Sequence, residues 1–202
     1  MTSLAGREIV LGVTGGIAAY KAAALASGLV QEGAGVTAVL TRNARKFIGS
    51  ATFAALTGRP VATRSFDARY PLGAHIELAA RADLVVVAPA SAHFLATAAA
   101  GAADDLLATL LLCAECPVIV APAMNAAMWA KPAVQRNVVR LADDGFVIVP
   151  PGSGWLSCRQ RGTGRMAEPD EIKGLALLLA SPASSFLTGT VIPIDGGATA
   201  GA

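Results

Sequence analysis

Short apolar runs alternate with longer segments of helical character along the first 150 residues of this chain. The apolar runs predict five strands, at Glu8–Val13, Val36–Leu40, Leu84–Ala88, Val118–Ala121 and Phe146–Val149. The alanine-rich or amphipathic segments predict helices at about Ile17–Glu32, Ala44–Thr57, Ala92–Leu112 and Pro132–Asp144. Because strands that alternate with helices form βαβ units, the pattern predicts an α/β domain of the Rossmann-like (flavodoxin-type) class, with one parallel sheet and helices on both faces.

The pattern changes after residue 150. Residues 150–168 are rich in glycine and basic side chains, and we expect a flexible loop that can act as a lid. Beyond this loop we expect a helix over Glu171–Leu179 and a strand over Thr190–Ile194. An apolar strand of this kind needs a partner, and the sequence leaves that partner open: the sheet edge, the functional site or a neighbouring subunit.

Composition narrows the class of protein. The 202 residues are 54% hydrophobic and 15% charged, so the chain can bury a sizeable core and leaves a thin polar surface. Such surfaces often carry apolar patches that subunits cover, and we therefore expect an oligomer. The net charge of +2 argues against nucleic acid as a partner. No apolar run reaches the roughly 18 residues of a membrane span, and residues 1–7 do not resemble a signal peptide, so we expect a cytoplasmic protein that binds no membrane.

Cysteines are the first candidates for metal or redox chemistry. Cys113 and Cys116 have the C-x-x-C spacing, but no second pair follows and histidine is scarce. We therefore expect both to be buried small apolar residues, and we predict no metal site. The odd total of three cysteines is consistent with a reducing compartment.

Loops after three predicted strands can meet at one edge of the sheet. The first loop contains Gly15, Gly16 and Ile17, the second begins with Thr41, and the third contains Ser91. Paired glycines let backbone N–H groups approach a phosphate, and a helix N-terminus adds positive potential. The pattern is not G-x-G-x-x-G, so a mononucleotide phosphate fits better than a dinucleotide, and a plain tight turn explains the glycines equally well.

Two further side chains stand out at the ends of predicted elements. Asn125 follows the apolar run Pro117–Ala121, and ligands bind at such strand ends in open α/β sheets. Its amide can orient a carboxylate without titrating. His75 precedes a predicted helix, where a lone histidine is either a base that works near neutral pH or a capping or packing residue.

Several motifs together resemble one family, the homo-oligomeric flavin-containing cysteine decarboxylases. The Ala121–Trp129 stretch is similar to the long PxMNxxMW motif of that family. Further similar stretches are Gly15–Lys21 (GxIAAYK), His75–Ala79 (HIxLA), Pro89–Ala92 (the start of PASANT), Gly101–Leu107 and Gly162–Pro169. The resemblance covers about residues 6–172, and Gly162–Pro169 favours the coenzyme A branch, whose substrate carries a phosphate.

The resemblance implies an FMN-dependent decarboxylase that forms a homotrimer or a higher oligomer, with FMN between subunits. It assigns FMN binding to Gly15, Gly16, Ile17, Thr41, Ser91 and Ala92. It assigns catalysis to His75 as the base, Asn125 as the residue that holds the carboxylate-bearing unit, and Cys158 as the proton donor. It adds Met124 and Arg165 to Asn125 in substrate binding. The implied reaction converts phosphopantothenoylcysteine to phosphopantetheine in coenzyme A biosynthesis.

The chain departs from the family at three motif positions and in its tail. His93 and Phe94 replace an Asn and a Thr of the family, and Arg159 replaces the Gly that follows the catalytic Cys. His93 either replaces the Asn as a hydrogen-bond donor or serves as a packing residue. The tail resembles the C-terminus of short-chain dehydrogenases, although their Tyr-x-x-x-Lys pair is missing. We therefore expect a flavoprotein decarboxylase domain at 1–170 and an atypical C-terminal extension at 171–202.

Other interpretations remain open at this stage. The same chemistry can act on the C-terminal cysteine of a peptide. The departures at His93 and Arg159, or the tail, can instead indicate a catalytically inactive, flavin-binding regulatory subunit. Cys158 can be an exposed, inert thiol. A flavin prenyltransferase fits less well because Asn125, Met128 and Trp129 match the decarboxylases, and a nicotinamide reductase rests on the tail alone.

Overall fold

A five-stranded parallel sheet forms the centre of the computed structural model, which describes residues 4–180. Its strands lie in the order β2-β1-β3-β4-β5. They are β1 (Glu8–Val13), β2 (Gly35–Leu40), β3 (Leu84–Ala90), β4 (Val118–Pro122) and β5 (Val147–Ile148). Two further strands, β6 (Gly152–Trp155) and β7 (Arg161–Arg165), form a separate antiparallel ribbon.

Helices cover both faces of the sheet. They are α1 (Ala19–Gln31), α2 (Ser50–Thr57), α3 (Ala74–Arg81), α4 (Ala92–Ala99), α5 (Leu106–Cys113), α6 (Ala126–Trp129), α7 (Pro132–Asp143) and α8 (Pro169–Leu179). One apolar cluster joins α1, α2 and α8 to the sheet, and the other joins α3, α4, α5 and α7 to its opposite face. All seven residues of β3 are buried, as expected for a parallel strand covered on both sides. The predicted α/β fold is confirmed.

The predicted long helix over Ala92–Leu112 is two helices, α4 and α5, and that prediction was wrong. Gly101 adopts a left-handed conformation with φ of +65° just after α4, which ends the helix. Asp105 then caps α5, because its carboxylate accepts a hydrogen bond of 2.8 Å from the Ala108 N–H. The two adjacent aspartates that follow Gly101 therefore belong to a helix start and not to a paired acid site.

Two other boundaries also differ from the sequence pattern. The segment predicted as one helix over Ala44–Thr57 is a 3-10 turn at Ala44–Lys46 followed by α2, because Gly49 adopts an extended conformation that caps α2. Residues 150–168, predicted as a flexible loop, contain the β6–β7 ribbon and end at Glu168, the N-cap of α8. The sequence did not reveal this ribbon because its short strands are rich in glycine and lack an apolar alternation.

The cysteines of the C-x-x-C pair are less buried than predicted. Cys113 is exposed at the end of α5, and Cys116 is half-buried. Burial raises the pKa of the Cys116 thiol. Within residues 4–180, no group of three or more potential ligands can hold a metal ion.

The C-terminal part of the chain is described only as far as residue 180. Helix α8 confirms the helix predicted over Glu171–Leu179, and its Ile172, Leu175 and Ala176 are buried in the same cluster as α1. The strand predicted over Thr190–Ile194 lies outside the described residues. Among the described helices, none has the length and apolar character needed to cross a bilayer.

Candidate active site

The sheet has a switch point between β1 and β3. Helix α1 leaves β1 toward one face of the sheet, whereas α4 leaves β3 toward the other face. Ligands of open α/β sheets bind in the crevice that this divergence creates at the carboxyl ends of the strands. A cavity of about 460 Å³ lies there, and its walls include Gly15, Gly16, Ser91, Asn125, Cys158 and Arg165. This volume is within the range of small-molecule and cofactor sites.

A second cavity, of about 500 Å³, lies at the amino end of β1 and has a different character. Two of the three arginines in its wall form ion pairs: Arg59 binds Glu8 through its two terminal guanidinium nitrogens, and Arg69 binds Asp67. These contacts lower the pKa of Glu8 and bring the pKa of Asp67 to about 2. Stable ion pairs on a surface suit a structural role, so we place the candidate active site at the carboxyl end of the sheet.

The loop after β1 has free backbone N–H groups beside the cavity. Thr14 anchors it: its hydroxyl donates to the Pro89 carbonyl (2.7 Å) and accepts from the Ser91 N–H (2.9 Å). Within residues 4–180, the N–H groups of Gly15 and Gly16 donate to no backbone or side-chain acceptor. A Cβ at Gly16 would meet no atom within 4 Å, so this residue borders open space. Free N–H groups beside a cavity, at the start of a helix, fit a phosphate group.

The other predicted FMN-binding residues take different positions. Ser91 lines the cavity and caps α4, with its hydroxyl accepting from the Phe94 N–H. Ile17 also lines the cavity and is largely exposed. Thr41 and Ala92 are not among the lining residues; the Thr41 hydroxyl accepts a hydrogen bond from the Ala44 N–H. The structure therefore brings four of the six predicted residues to one cavity in this chain.

Asn125 and Cys158 meet in the cavity although they are 33 positions apart in the sequence. The Asn125 Nδ2 atom lies 3.2 Å from Cys158 Sγ, and its Oδ1 atom accepts from the Ala127 N–H at 2.8 Å, which caps α6. The cap fixes the direction of the amide, so its donor side faces the thiol. A carboxylate bound to this amide would lie next to the Cys158 sulfur.

The β6–β7 ribbon brings Cys158 to this position by docking on the loop after β4. The Met124 N–H donates to the Gly164 carbonyl at 2.9 Å. Gly164 has φ of +147°, and a Cβ there would lie 2.2 Å from the Met124 carbonyl oxygen. Only glycine permits so close an approach of two backbones. Met124 and Arg165, the other two predicted substrate-binding residues, both line the cavity.

Lys21 is a site residue that the sequence interpretation missed. It is only 5% exposed, and its ammonium donates to the Met166 carbonyl and to Glu168 Oε1, each at 3.0 Å. Glu168 also forms an ion pair with Arg165. Lys21 therefore ties α1 to the end of the ribbon. Its position four residues before the buried Leu25 was the available signal, because residues i and i+4 share one helix face.

His75 does not join this group within one chain. It lies in the first turn of α3, half-buried, and is not among the residues that line the cavity. Gly73, with φ of +103°, leaves room for the ring, since a Cβ there would be 3.1 Å from His75 Cε1. The Nδ1 atom of His75 is buried and has no hydrogen-bond partner within the described part of the chain. Such an atom normally has a protein, water or ligand partner.

His93, which departs from the family motif, is an exposed residue of α4. Its Nε2 atom lies 4.0 Å from Asp104 Oδ2, and the side chain of His93 is 80% exposed. His93 therefore makes a surface contact between α4 and the segment before α5. Of the two roles left open by the sequence, the exposure argues against packing.

A family model described as flavoprotein matches residues 1–177. The chain belongs to the flavoprotein family. The family resemblance inferred from the motifs is thereby confirmed. A second model, described as enoyl-(acyl carrier protein) reductase, matches residues 157–199, most of which follow the ribbon or lie outside the described residues.

Individual relatives agree with this family. The chain is 48% identical over 173 residues to the coenzyme A biosynthesis bifunctional protein CoaBC of Mycobacterium tuberculosis, with 86% of this chain and 41% of the relative covered. It is 44% identical over 195 residues to the protein of the same name from Bacillus subtilis, with 96% of this chain and 48% of the relative covered. The chain therefore spans less than half the length of these two relatives.

Solved structures resemble the fold over nearly their whole length. The FMN-dependent cysteine decarboxylase SpaF is 38% identical, has a TM-score of 0.78, and aligns over 88% of this chain and 99% of its own. A mutant PPC decarboxylase complexed with pantothenoylaminoethenethiol is 30% identical, has a TM-score of 0.77, and aligns over 85% of this chain and 97% of its own. The predicted fold class is the fold of these proteins.

Proposed function

We propose that this chain is a carboxy-lyase that converts phosphopantothenoylcysteine to phosphopantetheine with FMN as cofactor. The observation that carries the proposal is the contact between the Asn125 amide and the Cys158 thiol, at 3.2 Å, in a cavity that also contains the free N–H groups of Gly15 and Gly16. The CoaBC relatives and the PPC decarboxylase structure support the choice of substrate.

The residues of the cavity fit FMN. The N–H groups of Gly15 and Gly16 and the Ser91 loop would hold its phosphate, and the exposed apolar side chains of Ile17 and Met128 suit a flat aromatic ring system. When bound, FMN supplies reversible two-electron oxidation of the substrate's cysteine unit, which weakens the bond to the carboxyl group. The protein's task is then to orient the substrate and to move protons.

Each proposed catalytic side chain has a defined task. Asn125 binds the substrate carboxylate through its Nδ2 hydrogens, with its Oδ1 already committed to the cap of α6. His75 accepts the proton of the substrate thiol and returns it at the end of the cycle. The bond from Cα to the carboxyl carbon breaks, carbon dioxide leaves, and a proton from Cys158 takes its place. The net reaction consumes one proton and changes no oxidation state of the cofactor.

We also propose that the complete site forms between copies of the chain, in a homotrimer or a higher oligomer. His75 does not line the cavity that holds Asn125, yet its Nδ1 atom is buried without a partner within residues 4–180. Exposed apolar side chains, including Tyr20 and Trp155, surround the cavity and would be covered by a neighbouring copy. Light scattering measures the assembly. Mixing His75→Asn and Asn125→Asp subunits should restore activity if the site is shared.

The experiment that tests the proposed reaction measures decarboxylation of the substrate. Purified, flavin-loaded protein is incubated with phosphopantothenoylcysteine, and the loss of carbon dioxide is followed by mass spectrometry. We expect phosphopantetheine to form, and we expect either His75→Asn or Asn125→Asp to abolish it. No product from a yellow, folded wild type would overturn the proposed substrate.

A second candidate substrate is the C-terminal cysteine of a peptide. The similarity to SpaF, an FMN-dependent cysteine decarboxylase with a TM-score of 0.78, favours it. The same assay with a short peptide that ends in cysteine separates the two substrates. Bound flavin with turnover of neither substrate would indicate the regulatory subunit.

The domain boundary and the location of the protein are also part of the proposal. We infer a decarboxylase domain at residues 1–170 and an extension at 171–202, with α8 crossing the boundary and packing on α1. Removal of residues 181–202 should leave flavin binding intact if the tail is an addition to the domain. A cytoplasmic location follows from a role in coenzyme A biosynthesis, and cell fractionation tests it.

A further inference from the structure

The tip of the β6–β7 ribbon contains an arginine in a backbone conformation that favours glycine. The tip spans Leu156–Gln160 and is closed by hydrogen bonds from the Leu156 N–H to the Gln160 carbonyl and from the Arg159 N–H to the Leu156 carbonyl, both 2.9 Å. Arg159 has φ of +62°, the only positive φ of a non-glycine residue within residues 4–180. The backbone of a residue with a Cβ atom is strained in this conformation, and such strain is often found at functional sites.

The charged side chains of the ribbon that contains this tip are all positive. Residues 152–165 contain three arginines and no aspartate or glutamate. Arg165 is compensated by its ion pair with Glu168. Arg159 and Arg161 are exposed and form no ion pair with an acidic side chain of residues 4–180. We call these two residues the arginine rim, because each is next to a residue that lines the cavity: Arg159 follows Cys158 in the chain, and Arg161 pairs with Trp155 across the ribbon.

We propose that the arginine rim recognises the phosphate of the substrate and thereby sets the preference for a phosphorylated substrate. This inference rests on the proposed function. A guanidinium group binds phosphate through paired N–H donors and keeps its charge at all relevant pH values. Arg159 is the residue directly after Cys158, and Arg161 pairs with Trp155 across the ribbon, so both guanidinium groups belong to residues next to the cavity lining.

The phosphate of the proposed substrate lies far from its cysteine unit. About eleven bonds separate the cysteine Cα from the phosphorus of phosphopantothenoylcysteine, a span on the order of 14 Å when extended. The tip is a closed turn, so the backbone between Cys158 and Arg161 spans less than the ~10 Å of an extended chain of three residues. A substrate that extends from Asn125 and Cys158 along the ribbon would bring its phosphate toward these two side chains.

The test compares two substrates that differ only in the phosphate. We would measure kcat/KM for phosphopantothenoylcysteine and for pantothenoylcysteine with the wild type, Arg159→Gln, Arg161→Gln and the double variant. In the double variant the preference for the phosphorylated substrate should fall at least tenfold, mainly through KM, while pantothenoylcysteine changes less than twofold. Arg64→Gln, at an exposed arginine far from the ribbon in the chain, is the matched control and should leave both values unchanged.

Two further variants, compared with Arg159→Gln, separate the effect of backbone strain from the effect of charge. Arg159→Gln removes the charge and keeps the strain. Arg159→Lys keeps the charge and the strain, and should retain the phosphate preference within about threefold. Arg159→Gly removes both, and should lower the preference as Arg159→Gln does but raise Tm. Equal losses on both substrates in the double variant, with a normal flavin spectrum, would overturn the inference and leave the proposed function standing. A wild type that turns over neither substrate would instead overturn the proposed function.

Discussion

The side-chain amide of Asn125 donates to the sulfur of Cys158 across 3.2 Å, and its carbonyl oxygen simultaneously caps α6 through the Ala127 N–H. The amide therefore has one orientation, which presents N–H donors to the cavity. A substrate carboxylate that binds these donors must share them with the thiol. In the proposed function the substrate carboxylate and the proposed proton donor, Cys158, contact the same amide, and this makes Asn125 the most informative residue to change.

Asn125→Asp should abolish decarboxylation and leave the fold intact. The carboxylate still caps α6, since aspartate is as good an N-cap as asparagine. It no longer donates to Cys158, and its charge repels the substrate carboxylate, so kcat/KM should fall at least ~100-fold, which is about 2.7 kcal/mol of lost transition-state stabilisation. Carbon dioxide release measures the activity, and urea unfolding measures the stability. Asn125→Ala is the comparison, because it removes the cap as well. An Asp variant that keeps more than about a hundredth of the wild-type kcat/KM would contradict the proposed role.

Gly164→Ala should displace the ribbon from the loop after β4. The added Cβ would lie 2.2 Å from the Met124 carbonyl oxygen, and both partners are backbone, so neither can move aside alone. We expect a loss of stability of about 1–3 kcal/mol and a larger loss of activity, because Cys158 moves away from Asn125. Near-ultraviolet circular dichroism and kcat/KM report the two effects.

Gly152→Ala is the matched control for this substitution, on the same ribbon. A Cβ at Gly152 meets no atom within 4 Å, and the residue is exposed. This variant should behave as the wild type. Similar effects of the two substitutions would show that the ribbon tolerates no side chain at all, and not that Gly164 docks it.

Lys21→Met should loosen the attachment of the ribbon to α1. The variant keeps the apolar stem of a residue that is 5% exposed, but it leaves the Met166 carbonyl without its donor. An unsatisfied buried acceptor costs about 1–3 kcal/mol, and urea unfolding should show a loss of this size. Lys173→Met removes a more exposed ammonium that pairs with Asp170 on the surface, and should cost less than ~1 kcal/mol. Equal costs would refute the structural role of Lys21.

The ion pair between Glu8 and Arg59 should make stability depend on pH in acid. The Arg59 guanidinium lowers the pKa of Glu8 below its ordinary value of 4.5. A group whose pKa is lower in the folded protein stabilises the fold above the unfolded pKa, and this contribution disappears as the pH falls through the folded pKa. Glu8→Gln should therefore reduce the loss of stability below about pH 4.5, by less than ~1 kcal/mol because the pair is partly exposed.

Urea midpoints between pH 3 and pH 7 measure this effect. Glu115→Gln, at an exposed glutamate with no ion pair within residues 4–180, serves as the control and should retain the wild-type pH dependence. If Glu8→Gln and the wild type lose stability in parallel, the pair does not contribute to acid unfolding.

Local patterns in the sequence were enough to predict the alternation of strands and helices, the glycine loop after β1 and the candidate site at the strand end before Asn125. Hydrophobic periodicity and turn residues act over a few positions, so one chain segment suffices to show them. The same local signals failed where they were weak. The alanine-rich stretch over Ala92–Leu112 concealed the break at Gly101, and the short glycine-rich strands of the ribbon carried no apolar alternation.

The contacts between residues far apart in the chain became visible only in the folded protein. Asn125 reaches Cys158 across 33 positions, and Lys21 reaches Met166 across 145 positions, because the strand order and the docking of Gly164 bring these segments to one cavity. The folded chain also places His75 outside the residues that line this cavity. Such contacts depend on the packing of many elements at once, and no periodicity or spacing within a single segment encodes them.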